Sequence, residues 1–438
     1  MKYIVMLFIS FLLVSCGFEE TFPTDGNPGN NEYFRISYAP DDCTEAGKVK
    51  FVYKYMHDAY LWADEAPVLD YTLYASQYDI MNDLKVSQDR FSGLNTLANL
   101  ISYYYGETIG LGTNLVAYSN RIYVKYVIPG TPADIAGLKR GYEILSVNGY
   151  STAAMLSDSS VMDAAFGPSA AGVQNEIVYS DYDSVSHTVT LTKTAYYNYP
   201  VLSSKVFKNS SNGKMIGYLA YSYFNANYND LDSAFYYFSR RDVEELIIDL
   251  RYNGGGLNDT AGYLASQILG STLERKVFEE MQYNRVYSIY NFFYYFQTPK
   301  YPLYPEKIVF LVSGSTASSS ELLINSIKAY KDVYLIGRKT VGKNVGMDLV
   351  AYCDMVMTAI TFRNADVNGN SDFANGFEPD CYKTDPTDAM KDFGDPDEVM
   401  LSAAINYLQT GVCVPDAKNR SDENDSYIDE FRTDPALK

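Results

Sequence analysis

The chain has 438 residues, 47% hydrophobic and 20% charged, with a net charge of -19. That is enough apolar material for two or three domains with a sizeable core, and it excludes wholesale disorder. The acidic balance disfavours phosphate backbones and anionic surfaces, so no nucleic-acid partner is expected.

The first 17 residues, "MKYIVMLFISFLLVSCG", hold one lysine and then an apolar run too short for a confident membrane span. Residues 1–16 read as a signal peptide. Leu13-Val14-Ser15-Cys16 resembles a bacterial lipobox, which implies lipidation of Cys16 and an exported outer-membrane lipoprotein, periplasmic or surface-facing. Residues 17–45 are rich in Gly, Pro and Asn and read as a flexible tether. The remaining cysteines are Cys43, Cys353, Cys381 and Cys413. Export permits disulfides. Cys353 and Cys381 flank one segment and are a candidate pair, with free buried thiols as the alternative.

Residues 46–100 carry helical patterning: Val52, Tyr55, Met56 and Tyr60 recur at three- and four-residue steps. "YDIMNDLKVSQDRFS" reads as a second helix, and together they form an N-terminal helical cap. His57 lies in the first run and His187 in a later alternating run, "VSHTVTLT". They are the only histidines, no HExxH occurs, and each reads as a packing residue. Neither a metal nor a cofactor is expected.

Residues 101–195 switch to short alternating strands punctuated by Gly and Pro. Gly110-Leu111-Gly112, Pro129-Gly130-Thr131-Pro132-Ala133, Ala136-Gly137-Leu138-Lys139 and Ile144-Leu145-Ser146-Val147-Asn148-Gly149 together resemble a PDZ domain. The resemblance implies that a peptide adds as a strand to a sheet edge. Its terminal carboxylate would then meet the backbone of Ile109, Gly110, Leu111 and Gly112. A PDZ-like module that only positions its neighbour is the alternative.

From 196 to 412, strands alternate with helices, an α/β core. "NDLDSAFYYFSRRDVEEL" reads as helix and "LIIDLRYNGGG" as a buried strand entering a glycine loop. The aromatic run "YNRVYSIYNFFYYF", Tyr283 to Phe296, reads as core packing, with an apolar substrate groove as the alternative. Residues 413–438 are a polar tail, expected to be mobile.

Three separated pieces of this core carry chemistry. Asp249-Leu250-Arg251-Tyr252-Asn253-Gly254-Gly255-Gly256 puts backbone N–H groups at the end of a strand, without the GxxxxGK[ST] of a phosphate loop. Five serines (Ser313, Ser315, Ser318, Ser319 and Ser320) crowd a strand-to-helix junction, where developing negative charge is favoured. Ser318 and Glu321 also fit a capping box, and alone that reading would win. Gly342-Lys343-Asn344 offers a lysine that, desolvated beside a serine, can act as general base without histidine.

In combination these pieces resemble peptidase family S41, the C-terminal (tail-specific) processing proteases. The motif spacing carries the resemblance: Ser318 lies three residues before Glu321, and Lys343 follows at 25 positions (318 to 343). The resemblance implies a crotonase/ClpP-like α/β protease core behind a PDZ-like β domain and a helical cap. It implies Ser318 as nucleophile, Lys343 as general base, and an oxyanion hole from the N–H groups of Ser319 and Gly255, or Gly254. Polypeptides would be the substrates. This chain departs at Met347, where the family often has a glutamine, and at Ser319, which replaces the usual alanine. A catalytically weak peptide-binding lipoprotein is the alternative function. A crotonase-like acyl-CoA enzyme fits less well, because CoA is cytosolic.

Overall fold

Helix α1 (Glu45–Asp58) starts where Thr44 Oγ1 accepts the Gly47 N–H at 3.2 Å, and it buries Val49, Val52 and Met56 on one face. The computed structural model describes residues 40, 42–386 and 390–417. The expected signal peptide, Cys16, nearly all of the tether and the tail beyond residue 417 lie outside the described residues. Helix α2 (Gln77–Leu84) is capped by Ser76 and buries Ile80, Met81 and Leu84. It stops well short of the run expected to be helical. Asp89 explains the stop: its carboxylate accepts Tyr60 Oη at 2.7 Å and the N–H groups of Phe91 and Ser92 at 2.9 Å, which folds residues 85–92 into a turn.

Strand β1 (Gly93–Asn95) pairs antiparallel with Met355–Thr358, which pairs in turn with Val350–Tyr352. Residues 280–293 and 345–365 group with residues 42–100 as one unit. A Cys43–Cys353 disulfide closes this unit, with Cα atoms 5.7 Å apart. The candidate Cys353–Cys381 pair is therefore corrected: Cys381 pairs with Cys413 in the second unit.

The second unit holds two sheets that matter for function. The PDZ-like part contains β2 (Glu107–Gly110), β3 (Thr113–Tyr118), β4 (Arg121–Val127), β5 (Glu143–Val147), β6 (Gln174–Ser180), β7 (Ser186–Thr192) and β8 (Thr194–Tyr197). Its main sheet runs β3-β4-β5-β6-β7, all antiparallel, so β3 is an edge strand; β2 pairs with β8.

The core sheet is built from β9 (Val201–Lys208), β10 (Met215–Tyr221), β11 (Val243–Asp249), β12 (Lys307–Val312), β13 (Tyr334–Gly337) and β14 (Cys381–Tyr382), in that spatial order. Strand β9 is antiparallel to β10 and every later pair is parallel. Alternate residues feed two cores. Leu219, Leu246, Ile248 and Phe310 pack against helices α3 (Asn229–Ser239), α4 (Asn258–Leu269) and α5 (Ser319–Lys328). Tyr218, Ile247, Val309 and Ile336 pack against α6 (Val399–Thr410). Residues 243–246, expected as helix, belong to β11. A central parallel strand covered on both faces buries Leu246 to Ile248, and that burial overrides the local helical pattern.

The tail begins held rather than mobile. Cys413 is tied to Cys381, and Asp416 accepts Lys383 Nζ at 2.7 Å and the Thr384 N–H at 2.9 Å. Among the described residues, no helix is long and apolar enough to cross a membrane.

Candidate active site

The three chemical pieces leave the C-terminal ends of adjacent parallel strands. The glycine loop follows β11, the serine loop follows β12, and the lysine loop follows β13. In open α/β sheets, ligands bind at that edge.

Ser318 caps α5 with φ 57° and ψ -120°, a left-handed conformation that a serine adopts only under constraint. Such strain costs on the order of 1–3 kcal/mol and concentrates at functional sites. Two kinds of contact hold it. First, the Ser318 N–H donates to Glu321 Oε2 at 3.0 Å, the capping-box bond anticipated from Ser-x-x-Glu. Second, the glycine loop presses against it. A Cβ on Gly255 would stand 2.7 Å from Ser318 Cβ and 3.1 Å from the Ser319 nitrogen, and Gly255 has φ 110°. Only glycine fits there.

Glu321 does more than cap. Its Oε2 also accepts the Lys343 N–H at 2.7 Å, while Oε1 accepts the Gly342 N–H at 2.7 Å and Thr340 Oγ1 at 2.5 Å. One buried carboxylate oxygen thus binds the backbones of Ser318 and Lys343 together. Burial pushes the Glu321 pKa up, and the four donors pull against that rise. Lys343 is half-buried. Met347, at the position where a polar helper was sought, packs instead against the apolar cluster of the first unit.

Three of the other four serines serve the glycine loop. Ser313 Oγ donates to the Arg251 carbonyl, and Ser320 Oγ donates to the Asn253 carbonyl at 3.0 Å. Ser319 Oγ lies 2.8 Å from the Gly256 carbonyl and 2.7 Å from Asn258 Oδ1. Asn253 was not singled out from the sequence. It is fully buried, donates from Nδ2 to the Tyr221 carbonyl at 3.1 Å, and accepts the Gly255 N–H on Oδ1 at 2.9 Å. The Gly255 N–H, first choice as an oxyanion donor, is therefore engaged within its own loop. Gly254 is exposed.

Beneath the loop lies a buried ionic network. Arg251 donates to Asp249 and to both oxygens of Glu398, at 2.7 and 2.9 Å. Arg140, contributed by the PDZ-like part and fully buried, holds both oxygens of Asp385 at 2.7 Å and donates to Tyr252 Oη at 3.1 Å.

In the PDZ-like part, Ile109 and Gly110 are paired with Ala195 and Thr194. The carbonyls of Leu111 and Gly112 accept the N–H groups of Ala133 and Ile128, at 3.0 and 2.9 Å. These bonds fix the turn that leads into the edge strand β3. Both histidines have local roles: His57 Nδ1 lies 2.9 Å from the Tyr53 carbonyl, and His187 Nε2 lies 2.7 Å from Asp181. The aromatic run is core packing only in part: Phe296 belongs to the main core cluster and Tyr294 packs against it. Tyr290, Phe292, Phe293 and Tyr295 are exposed, Phe292 by 51%.

Family models match in the same order along the chain. The S41 N-terminal domain matches residues 49–93, the PDZ domain 101–169 and peptidase family S41 215–382. The carboxyl-terminal-processing protease of Synechocystis sp. is 26% identical over 314 residues, 70% of this chain and 69% of that protein. Its counterpart in Picosynechococcus sp. is 24% identical over 304 residues, 68% of this chain and 70% of that one. An S41 protein of Bacteroides fragilis NCTC 9343 has the same fold, with a TM-score of 0.67 at 22% identity over 83% of this chain and 97% of that one. Taken with the geometry above, these matches define a serine-type peptidase. The chain belongs to peptidase family S41, with the family's N-terminal domain and a PDZ domain ahead of the catalytic core.

Proposed function

We propose that the chain is an exported, lipid-anchored endopeptidase that cleaves unfolded or C-terminally recognised polypeptides with a Ser318–Lys343 dyad. The observation that carries this reading is the shared Glu321 oxygen, which ties the strained serine to the lysine loop. Neutral Lys343 takes the Ser318 Oγ proton as Oγ attacks the scissile carbonyl carbon. The proton passes to the leaving amine as the C–N bond breaks, leaving an acyl-enzyme. Water, deprotonated by the same lysine, then releases the new carboxylate and restores Ser318.

The oxyanion is met by the Ser319 N–H and by a glycine-loop N–H. That second donor is Gly255, once substrate draws it from Asn253, or Gly254. A donor of this kind is worth about 3–4 kcal/mol. The edge strand β3 supports peptide addition, with the carboxylate end directed to residues 109–112. Relatives named for carboxyl-terminal processing support the same choice of substrate end. The lipobox-like run ending at Cys16 supports the anchor, and the acidic charge supports a partner other than nucleic acid.

The packing of Met347 into the apolar cluster favours a second reading, a peptide-binding protein with little turnover. Purified protein assayed on an unfolded polypeptide beside Ser318→Ala and Lys343→Ala separates the two. The proposal expects at least a thousandfold loss in each variant, on the order found when a triad member is removed. Equal inertness of all three proteins would leave the binding reading.

A further inference from the structure

Sequence reasoning valued Ser319 only for its backbone N–H. Its side chain, however, is fully buried, with two acceptors in reach: the Gly256 carbonyl at 2.8 Å and Asn258 Oδ1 at 2.7 Å. A hydroxyl has one proton, so it serves one acceptor at a time. Both acceptors belong to the same short segment, the end of the glycine loop and the first residue of α4. Asn258 is itself oriented, because its Nδ2 donates to Glu279 Oε1 at 2.9 Å and that bond turns Oδ1 toward Ser319. Glu279 is fully buried and its second oxygen has no partner among the described residues.

The consequence is mechanical. The two backbone segments that carry the oxyanion donors, Ser319 on one side and the glycine loop on the other, are joined by a hydroxyl clamp. Glu279 supports the clamp through Asn258. An alanine at position 319 would keep the N–H and remove the clamp.

We propose that the Ser319 side chain, Asn258 and Glu279 are positioning residues that set the separation of the oxyanion-hole donors. This rests on the serine-peptidase reading above. The groups touch no substrate and act only through the spacing of the two segments.

The test uses the full chain with Ser319→Ala, Glu279→Leu and Glu279→Gln. Two quantities are read: kcat and KM on an unfolded polypeptide, and hydrogen–deuterium exchange of residues 252–258, which needs no turnover. Losing one neutral hydrogen bond corresponds to about tenfold in kcat. Ser319→Ala and Glu279→Leu are expected to lower kcat by about that factor with KM unchanged, and to speed loop exchange. Glu279→Gln keeps an acceptor for Asn258 and is expected to recover most of kcat and protection. The proposal is overturned if Ser319→Ala leaves loop exchange at the wild-type rate, or if Glu279→Gln is as damaged as Glu279→Leu. Should Glu279→Leu not fold, Ser319→Ala decides. Should the wild type be inert on every polypeptide, the peptidase reading fails while loop exchange still decides the clamp.

Discussion

Glu321→Gln isolates what one carboxylate does at the site. Glu321 accepts four hydrogen bonds from Ser318, Lys343, Gly342 and Thr340. A glutamine offers one acceptor oxygen and one NH2 group. Its better orientation keeps the oxygen toward the Ser318 and Lys343 N–H groups and turns the NH2 toward Gly342 and Thr340. Thr340 can adapt, since its hydroxyl already accepts the Phe377 N–H at 2.7 Å and can turn to accept again. Gly342 cannot: its N–H is left facing a donor, at a cost of about 1–3 kcal/mol. The two retained bonds lose their charge assistance, about 1 kcal/mol each. The sum is about 3–5 kcal/mol, most of it falling on the contact between the serine and lysine loops. Urea denaturation should read that loss, and kcat on an unfolded polypeptide should fall by about a hundredfold or more. A variant within 1 kcal/mol of wild type in stability and within about threefold in kcat would refute the bridging role.

Arg140→Leu removes one cation from the network under the glycine loop and leaves Asp385 short of its main partner. Burial alone would raise the Asp385 pKa, but Arg140 and Arg251 hold it well below the usual carboxylate range. Its contribution is therefore present at neutral pH and lost only in strong acid. A loss of about 3–5 kcal/mol by denaturant melt at pH 7 is expected, partly restored by adding Asp385→Asn; a loss under about 1 kcal/mol would sink the claim. Glu279 titrates the other way. Burial pushes its pKa from 4.5 up to about 8, opposed only by the Asn258 amide. Between those values it is neutral in the fold and ionised in the unfolded chain, so its contribution falls as pH rises through that window. Stability of Glu279→Gln relative to wild type should climb from pH 5 to pH 8, and a flat difference would contradict this.

The motif spacing and the strand–loop–helix alternation were legible because they are local. A glycine loop after a buried strand and a serine cluster before an amphipathic helix each carry their own signal. What escaped depended on distant partners. The run "DVEEL" has helical residues, yet Leu246 sits in a central parallel strand because two helix layers cover it. Cysteine spacing could not reveal that residue 43 returns to residue 353, since that contact depends on the sheet formed by β1 and Met355–Thr358. Of the eight aromatics of 283–296, four are exposed, a split that the run of similar residues does not signal. Asn253 carries no role in the sequence reading, because its part lies in reaching the Tyr221 carbonyl on the neighbouring strand.

The serine cluster poses the sharpest choice, since Ser-x-x-Glu taken alone is better explained by helix capping, and only its distant partners point to catalysis. The structure removes the need to choose. The capping box is reciprocal: the Ser318 side chain faces the Glu321 backbone N–H, and the Ser318 N–H donates to Glu321 Oε2 at 3.0 Å. The same glutamate oxygen then reaches Lys343. As an acceptor in that box, the serine hydroxyl keeps its own proton for a base. The glutamate half of the box fixes the left-handed serine and supplies a second attachment point. The neighbouring serines take the structural hydrogen bonds, to Arg251, Asn253 and Gly256. In this arrangement the capping box is part of the scaffold that holds the lysine loop to the serine.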